Sequence, residues 1–170
     1  MRCPSPASPG SRPRRRAAAG TRIASSRRSP TEPWLSSALG RITTLVAEIE
    51  AAGIPAERTA LVGFSQGACL ATELAARNAR RWGAVAALSG GLIGPPGTVF
   101  EYPGSLDGTP VLLGCSDVDA HIPLARVHET AAALRALNAE VDERIYPDMG
   151  HTVNDDEIER LRAMLAPLAG

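Results

Sequence analysis

The sequence predicts an α/β fold in which about four parallel strands carry helices on both faces. Short apolar runs alternate with stretches whose apolar residues recur every three or four positions, which is the periodicity of a helix face. Strands joined by helical connections pair in parallel, and the helices cover the sheet. The 170 residues suit one domain. We therefore expect the order α-β-α-β-loop-β-α-β-α, with any site beyond the carboxyl ends of the strands.

Residues 1–31 are expected to be a basic, low-complexity segment that is disordered or foreign to the fold, ahead of a folded unit at 32–170. Residues 1–33 contain eight Arg and one acidic residue, whereas residues 34–170 contain ten Arg and 17 acidic residues. The segment has almost no large apolar side chains to offset the loss of chain entropy. A nucleic-acid-binding arm and a transit peptide are the alternatives. Because no aromatic residue interleaves the arginines and the rest is acidic, we expect no nucleic-acid partner.

Cysteine use and hydropathy indicate a cytoplasmic protein without a membrane span. Cys3, Cys69 and Cys115 form no CxxC pair and have no histidine at metal spacing, so we expect neither a disulfide framework nor a metal site. Such a sparse, odd set fits a reducing compartment. No apolar run approaches the roughly 18 residues that a membrane helix needs.

The first helix is expected between Pro33, which suits a first helical turn, and Gly53, which ends it. Its apolar face consists of Leu35, Leu39, Ile42, Leu45, Val46 and Ile49. The apolar run at 59–64 predicts a buried strand, and a helix is expected over 66–80. Further strands are expected at 84–89, 110–114 and 141–147.

Two more helices complete the prediction. One carries an apolar face made of Leu124, Val127, Ala131, Leu134 and Leu137. The last begins at Asn154 as N-cap, and Glu157 three residues on completes a capping box. Its apolar side consists of Ile158, Leu161, Leu165 and Leu168.

Three of the predicted strands are followed by side chains that could form a hydrolytic site. Ser65 follows the first strand, Asp117 and Asp119 follow the third, and His151 follows the fourth. Parallel strands end at one edge of the sheet, so these side chains are expected on one rim. The chain order Ser…Asp…His is that of an α/β-hydrolase, and GFSQG between strand and helix is its G-x-S-x-G nucleophile elbow. Spacing alone does not decide between Asp117 and Asp119.

Each candidate has a chemical role. The Ser65 hydroxyl is a weak nucleophile that needs a base within hydrogen-bond reach. His151 would take its proton and return it to the leaving group, while an aspartate would hold the imidazole tautomer. The backbone N–H of Gln66, at the start of the helix, would stabilise the oxyanion. Gly63 and Gly67 lack Cβ and would let strand and helix approach closely.

Structural alternatives exist for these residues. Ser65 could be a turn serine that caps the next helix, and His151 could be a loop or capping histidine. His121 lies in the aspartate loop but precedes the wrong strand for the base. His128 falls inside a helix and is expected to be solvated.

Four stretches carry a resemblance to a known family: GFSQGACLA, LSGGLIG, SDVDAHIP and MGH. On these motifs the chain from about Glu32 onwards resembles the phospholipase/carboxylesterase family of α/β-hydrolases, which includes acyl-protein thioesterases. The resemblance implies that Asp119 is the triad acid and that Asp117 shapes its loop. It also implies hydrolysis of small carboxylic esters or thioesters through an acyl-serine intermediate, without a cofactor.

The resemblance ends before residue 32. Family members carry earlier strands and an H-G-x-G-like loop that supplies a second oxyanion donor, and residues 1–31 contain no counterpart. We therefore expect a partial α/β-hydrolase fold, the C-terminal part of such a domain, with 59–64 as an exposed apolar edge strand. The alternative function is a truncated, weakly active or inactive remnant that acts at most as a binding module.

The loop at 90–108 is too long for a simple connector and is expected to border the acyl pocket. It leaves the strand beside the nucleophile and carries Leu92 and Ile93. A packed surface loop is the alternative. The expected partner is a small-molecule ester or thioester, and the oligomeric state is left open.

Overall fold

The computed structural model describes residues 32–169, and the strands in this range form one parallel sheet. The strands are β1 (Ala60–Phe64), β2 (Ala84–Leu88), β3 (Pro110–Ser116) and β4 (Glu140–Tyr146). They pair in the sequence order β1-β2-β3-β4, each parallel to its neighbour. The predicted α/β class is confirmed. The predicted basic segment at 1–31 lies outside the described residues.

The helices follow the predicted order, with a loop and no helix between β2 and β3. They are α1 (Trp34–Ala51), α2 (Gln66–Arg77), α3 (Leu124–Ala136) and α4 (Asp155–Leu165). The expected capping box is present, because Asn154 accepts the Glu157 N–H at 2.9 Å and Glu157 accepts the Asn154 N–H at 2.9 Å. Leu168, placed in the last helix by its spacing, lies in a separate 3-10 turn.

The two faces of the sheet carry different helices. Val85, Val111 and Leu113 face the larger core, which is completed by apolar residues of α1, α2 and α3. The intervening strand residues Ala86 and Leu112 face the other way and pack against α4. This alternation follows from the two-residue repeat of a strand. Helices therefore cover both faces, as expected.

Three boundaries or burials differ from the sequence-based expectation. Helix α2 ends at Arg77 and not at residue 80, because Asn78 leaves the helical region at φ −118° and ψ 52°. Leu45 was expected on the buried face of α1, but its side chain is 53 % exposed. Strand β3 was expected to end at Gly114, but its pairing with β4 continues to Ser116. Cys115 and Ser116 therefore belong to the sheet beneath the site.

Strand β1 lies at one edge of the sheet within the described part of the chain. Val62 is 47 % exposed and Phe64 is 44 % exposed. Both side chains point away from the core that contains Leu61. The expected exposed apolar edge is thus present among residues 32–169.

Gly63 permits the close contact between β1 and the first turn of α2. A Cβ on Gly63 would lie 2.2 Å from the carbonyl carbon of Gly67 and 2.5 Å from the amide nitrogen of Ala68. Gly67 behaves differently, because a Cβ built there meets no described atom within 4 Å. The expectation that both glycines are needed for close packing is therefore wrong for Gly67.

Replacing Gly63 with alanine is expected to destabilise the fold by roughly 3 kcal/mol or more. The new methyl group would overlap backbone atoms, which cannot rotate out of the way as a flexible side chain can. Urea unfolding followed by circular dichroism measures the change. Gly67→Ala is the matched control, and it should leave stability unchanged or raise it by a few tenths of a kcal/mol in its helix. Equal stability of the two variants would contradict the packing argument.

Candidate active site

Ser65 occupies a sharp turn between β1 and α2. Its backbone has φ 52° and ψ −118°, a strained conformation for a residue other than glycine. Its backbone N–H donates to the Leu88 carbonyl at 2.9 Å, which ties the turn to the end of β2. The side chain makes no capping hydrogen bond to α2. The alternative of a helix-capping serine is therefore wrong, and the Oγ is free to point towards the rim of the sheet.

The Ser65 hydroxyl pairs with the imidazole of His151. Nε2 of His151 lies 2.9 Å from the Ser65 Oγ, and Nδ1 lies 2.7 Å from Oδ2 of Asp119. An ionised carboxylate can accept a hydrogen bond but cannot donate one, so Nδ1 carries the proton and Nε2 is left to accept from the serine. The ring of Phe64, the last residue of β1, lies 4.9 Å from the His151 ring between centroids.

Asp119 is held as an ionised carboxylate by several donors. Its side chain is fully buried, and its Oδ1 accepts the backbone N–H groups of His121 and Ile122 at 2.8 and 3.0 Å. Burial alone would raise the pKa of Asp119. The hydrogen bonds from His151 and from these two N–H groups outweigh burial and lower the pKa to about 2. Asp119 therefore remains negatively charged at neutral pH.

Asp117 serves a different purpose. Its Oδ1 accepts the backbone N–H of Asp148 at 2.9 Å, across to the loop that follows β4. The spacing in the sequence could not decide which of Asp117 and Asp119 pairs with the histidine. In the structure Asp119 forms that hydrogen bond and Asp117 does not. Asp117 instead joins the two loops that carry Asp119 and His151.

Three hydroxyl and thiol groups near the site had no predicted role. Ser116 Oγ accepts the Gly150 N–H at 3.1 Å, and Ser89 Oγ donates to the Thr152 carbonyl at 3.3 Å. The thiol of Cys115 lies 3.7 Å from Oδ2 of Asp119. The sequence predicted Cys115 only as a small core residue, which its burial confirms, and its contact with Asp119 and the role of Ser116 were not predicted. The residues from 147 to 152 are thus tied to the ends of β2 and β3.

Neither of the two competing histidines bonds to Ser65. His128 projects from α3, is 56 % exposed, and pairs with Glu143 at 2.6 Å, as expected for a solvated helix residue. His121 packs its ring edge-on against His151 with 4.7 Å between centroids. His121 therefore borders the site without bonding to Ser65 in the hydrogen-bond network.

Gln66 is the first residue of α2 and follows Ser65 directly. The first four N–H groups of a helix lie outside its i→i−4 ladder, and the positive end of the helix dipole adds to them. The Gln66 backbone N–H therefore lies at the positive end of α2, directly after Ser65 in the chain.

A cavity of about 430 Å³ adjoins Gln66. Its lining consists of Trp34, Leu35, Ala38, Gln66, Leu70 and Ile93. All of these side chains except that of Gln66 are apolar, and the volume falls within the usual range for ligand pockets. Of the two loop residues expected here, Ile93 lines the cavity. Leu92 is only 2 % exposed and belongs to the core in this structure.

Within residues 32–169, His, Cys, Asp and Glu side chains do not gather in groups of three or more that could hold a metal ion. Among the helices described, none is both long enough and apolar enough to cross a membrane.

A family model and solved structures of other proteins are similar to this chain in sequence and fold. A family model described as Phospholipase/Carboxylesterase matches residues 23–168. A phospholipase/carboxylesterase from Dyadobacter fermentans is 43 % identical, with a TM-score of 0.76 over 79 % of this chain and 65 % of its own. This chain thus spans slightly less than two thirds of that protein. No curated protein sequence matches the chain.

Two further solved structures share the fold at lower identity. SOBER1 from Arabidopsis thaliana is 18 % identical with a TM-score of 0.68, over 80 % of this chain and 65 % of its own. The carboxylesterase from Bacillus cereus is 18 % identical with a TM-score of 0.64, over 79 % of this chain and 61 % of its own. At this identity the likeness concerns the fold alone.

Proposed function

Since the chain belongs to the phospholipase/carboxylesterase family, we propose that it is a serine hydrolase that cleaves small carboxylic esters or thioesters through an acyl-Ser65 intermediate. One observation carries the proposal. Ser65, His151 and Asp119 form a continuous hydrogen-bonded chain, with 2.9 Å from serine to histidine and 2.7 Å from histidine to aspartate. This is the arrangement that makes a serine hydroxyl nucleophilic near neutral pH.

The first half of the reaction would form the acyl-enzyme. The Ser65 Oγ attacks the substrate carbonyl carbon while His151 Nε2 takes the hydroxyl proton. Asp119 holds the imidazole in the required tautomer and stabilises the imidazolium. The negative charge on the former carbonyl oxygen is met by the N–H of Gln66. The tetrahedral species then expels the alcohol or thiol, which leaves with the proton from His151.

The second half would release the acid. His151 takes a proton from a water molecule, and the resulting hydroxide attacks the acyl carbon. The second tetrahedral species expels the Ser65 oxygen, which recovers its proton from His151. The products are a carboxylic acid and the free enzyme, so no cofactor or second substrate besides water is required.

The acyl part of the substrate is proposed to occupy the cavity beside Gln66. Its lining by Leu35, Leu70 and Ile93 favours an apolar acyl chain, because burial of each methylene contributes about 0.8 kcal/mol. Trp34, which is 78 % exposed, stands at the open side of this cavity. This supports a small apolar acyl ester or thioester as the substrate class.

Active-site labelling tests the proposal directly. A fluorophosphonate probe is expected to modify the protein at one site, and tryptic digestion should place the adduct on the peptide of residues 59–77. That peptide contains Ser65 as its single serine, and fragment masses would separate Ser65 from Cys69. The same protein is expected to hydrolyse p-nitrophenyl butyrate.

Three results would separate the possibilities. Labelling at Ser65 together with turnover supports the serine hydrolase. Labelling at Ser65 with no measurable turnover favours the alternative of a weakly active or inactive form that acts as a binding module. A folded protein that takes up no label at Ser65 excludes the acyl-Ser65 mechanism.

A further inference from the structure

The loop segment that carries Ile93 is held by two charged side chains that do not line the cavity. It leaves β2 at Ser89 and passes through residues 90–95 between α2 and α3. Glu73 of α2 bonds to it from one side and Arg126 of α3 from the other. The position of Ile93, one wall of the cavity beside Gln66, is therefore set by these two helices.

Glu73 is fully buried. Its Oε1 accepts the backbone N–H of Ile93 at 2.7 Å and also lies 3.5 Å from the Tyr102 hydroxyl. Its Oε2 accepts from Arg77 on the next turn of α2. Burial, followed by the negative charge of Glu73, raises the pKa of Tyr102 to about 12. The phenol therefore stays protonated and donates to the carboxylate.

Arg126 binds the same segment through its carbonyl groups. Its guanidinium donates to the carbonyls of Leu92, Gly94 and Pro95 at 3.2, 2.9 and 3.1 Å. The guanidinium also lies over the Phe100 ring, 4.7 Å from its centroid. The side chain is only 13 % exposed. One planar guanidinium thus binds three backbone carbonyls of the same loop segment, which a lysine could not do.

Burying a carboxylate is costly unless it is hydrogen-bonded and paired. For stability alone, an apolar residue at position 73 packed against the core would often serve as well. A buried carboxylate aimed at the Ile93 N–H instead specifies one position of the loop. The distance from Ile93 to the rest of the cavity lining then depends on Glu73 and Arg126.

We propose that Glu73 and Arg126 are positioning residues that hold Ile93 as a wall of the acyl cavity and thereby set the acyl length that Ser65 accepts. The inference rests on the proposed hydrolase function. It assigns neither side chain a contact with substrate. Loosening either one should widen the accepted range of acyl chains without disturbing the bond from Ser65 to His151.

The test compares acyl selectivity with intrinsic reactivity. Values of kcat/KM are measured for the p-nitrophenyl esters of acetate, butyrate and octanoate, and labelling rates are measured with a short-chain fluorophosphonate that does not reach the cavity. Glu73→Met, which keeps length and loses the acceptor, is expected to reduce the ratio between the best and the worst ester about tenfold. The labelling rate should stay within roughly twofold of the wild type.

Two further variants make the outcome specific. Glu73→Gln keeps an oxygen that can accept from Ile93 and should restore most of the selectivity. Arg135→Leu is the matched control, because it removes an ion pair with Glu143 that does not involve the loop, and it should leave the ratio unchanged. An unchanged ratio in Glu73→Met, or a fall in labelling equal to the fall in turnover for every ester, overturns the proposal.

If Glu73→Met does not fold, Arg126→Lys decides the matter. Lysine keeps the positive charge but cannot bond all three carbonyls, so the selectivity ratio should again fall about tenfold, and an unchanged ratio overturns the proposal. If the chain is not a serine hydrolase at all, the experiment gives a different result. In that case the wild-type protein itself shows neither labelling nor turnover.

Discussion

Replacing Ser65 with alanine is expected to lower kcat for p-nitrophenyl butyrate by about a million-fold, relative to the wild-type chain. The change removes the atom that forms the acyl-enzyme and leaves His151 without its 2.9 Å partner. Any residual rate should come from water held by His151 and from the N–H at Gln66. Steady-state kinetics with a stringent check for contaminating esterase measures the effect.

Ser105→Ala is the matched control for this substitution. Its hydroxyl bonds to the Leu137 carbonyl and to the Asp107 N–H, outside the site. It should keep wild-type turnover, and both variants should retain the wild-type circular dichroism spectrum. A Ser65→Ala protein that keeps more than about a tenth of wild-type kcat would show that the nucleophile is another group.

Replacing Asp119 with asparagine is expected to lower kcat by about 10⁴-fold. The amide of asparagine can offer its N–H to Nδ1 of His151, and the imidazole then carries its proton on Nε2. That tautomer faces the Ser65 hydroxyl with a donor and cannot accept its proton. Asp117→Asn is the control, since Asp117 bonds to the Asp148 N–H and not to the histidine. A similar loss of activity in both variants would contradict the assignment of the triad acid.

The same substitution makes a prediction about stability and pH. The pKa of Asp119 is about 2 in the folded protein and near 4 in an unfolded chain. A depressed folded-state pKa means that the folded state binds the proton less readily. The stabilisation, on the order of 2 kcal/mol, is therefore present above about pH 4 and is lost as the pH falls towards 2. The urea midpoints of wild type and Asp119→Asn should differ at pH 7, and the difference should shrink below pH 4 and disappear only as the pH falls to about 2 or below. A difference that stays constant with pH would argue against this charge effect.

The sequence predicted the parts of the site that depend on strand ends. GFSQG, SDVDAHIP and MGH each follow a short apolar run, so Ser65, Asp119 and His151 could be placed on one rim. Spacing could not choose between Asp117 and Asp119, because both follow β3 within three residues and the choice depends on which way each carboxylate turns. The family resemblance pointed to Asp119, and the hydrogen bond to His151 agrees with it.

Other features lay beyond sequence reasoning because they depend on long-range packing. Leu45 is exposed and Leu92 is buried because of how distant parts of the chain pack, and periodicity alone does not carry that information. The bond from Glu73 to Ile93 joins residues 20 positions apart and has no local signal. A cytoplasmic location and the absence of a nucleic-acid partner stay predictions.

The path of the chain after β4 determines how firmly His151 is held against Ser65. Ser65 follows β1 and His151 follows β4, and these strands are separated by three spacings of about 4.8 Å each. The residues from 147 to 152 must therefore cross back over β3 and β2 before α4 begins at Asp155. Hydrogen bonds to the side chains of Asp117, Ser116 and Ser89 hold this segment in place. If these three bonds break while the sheet stays folded, His151 loses its position against Ser65, so we expect loss of the Ser65–His151 contact to need less free energy than global unfolding.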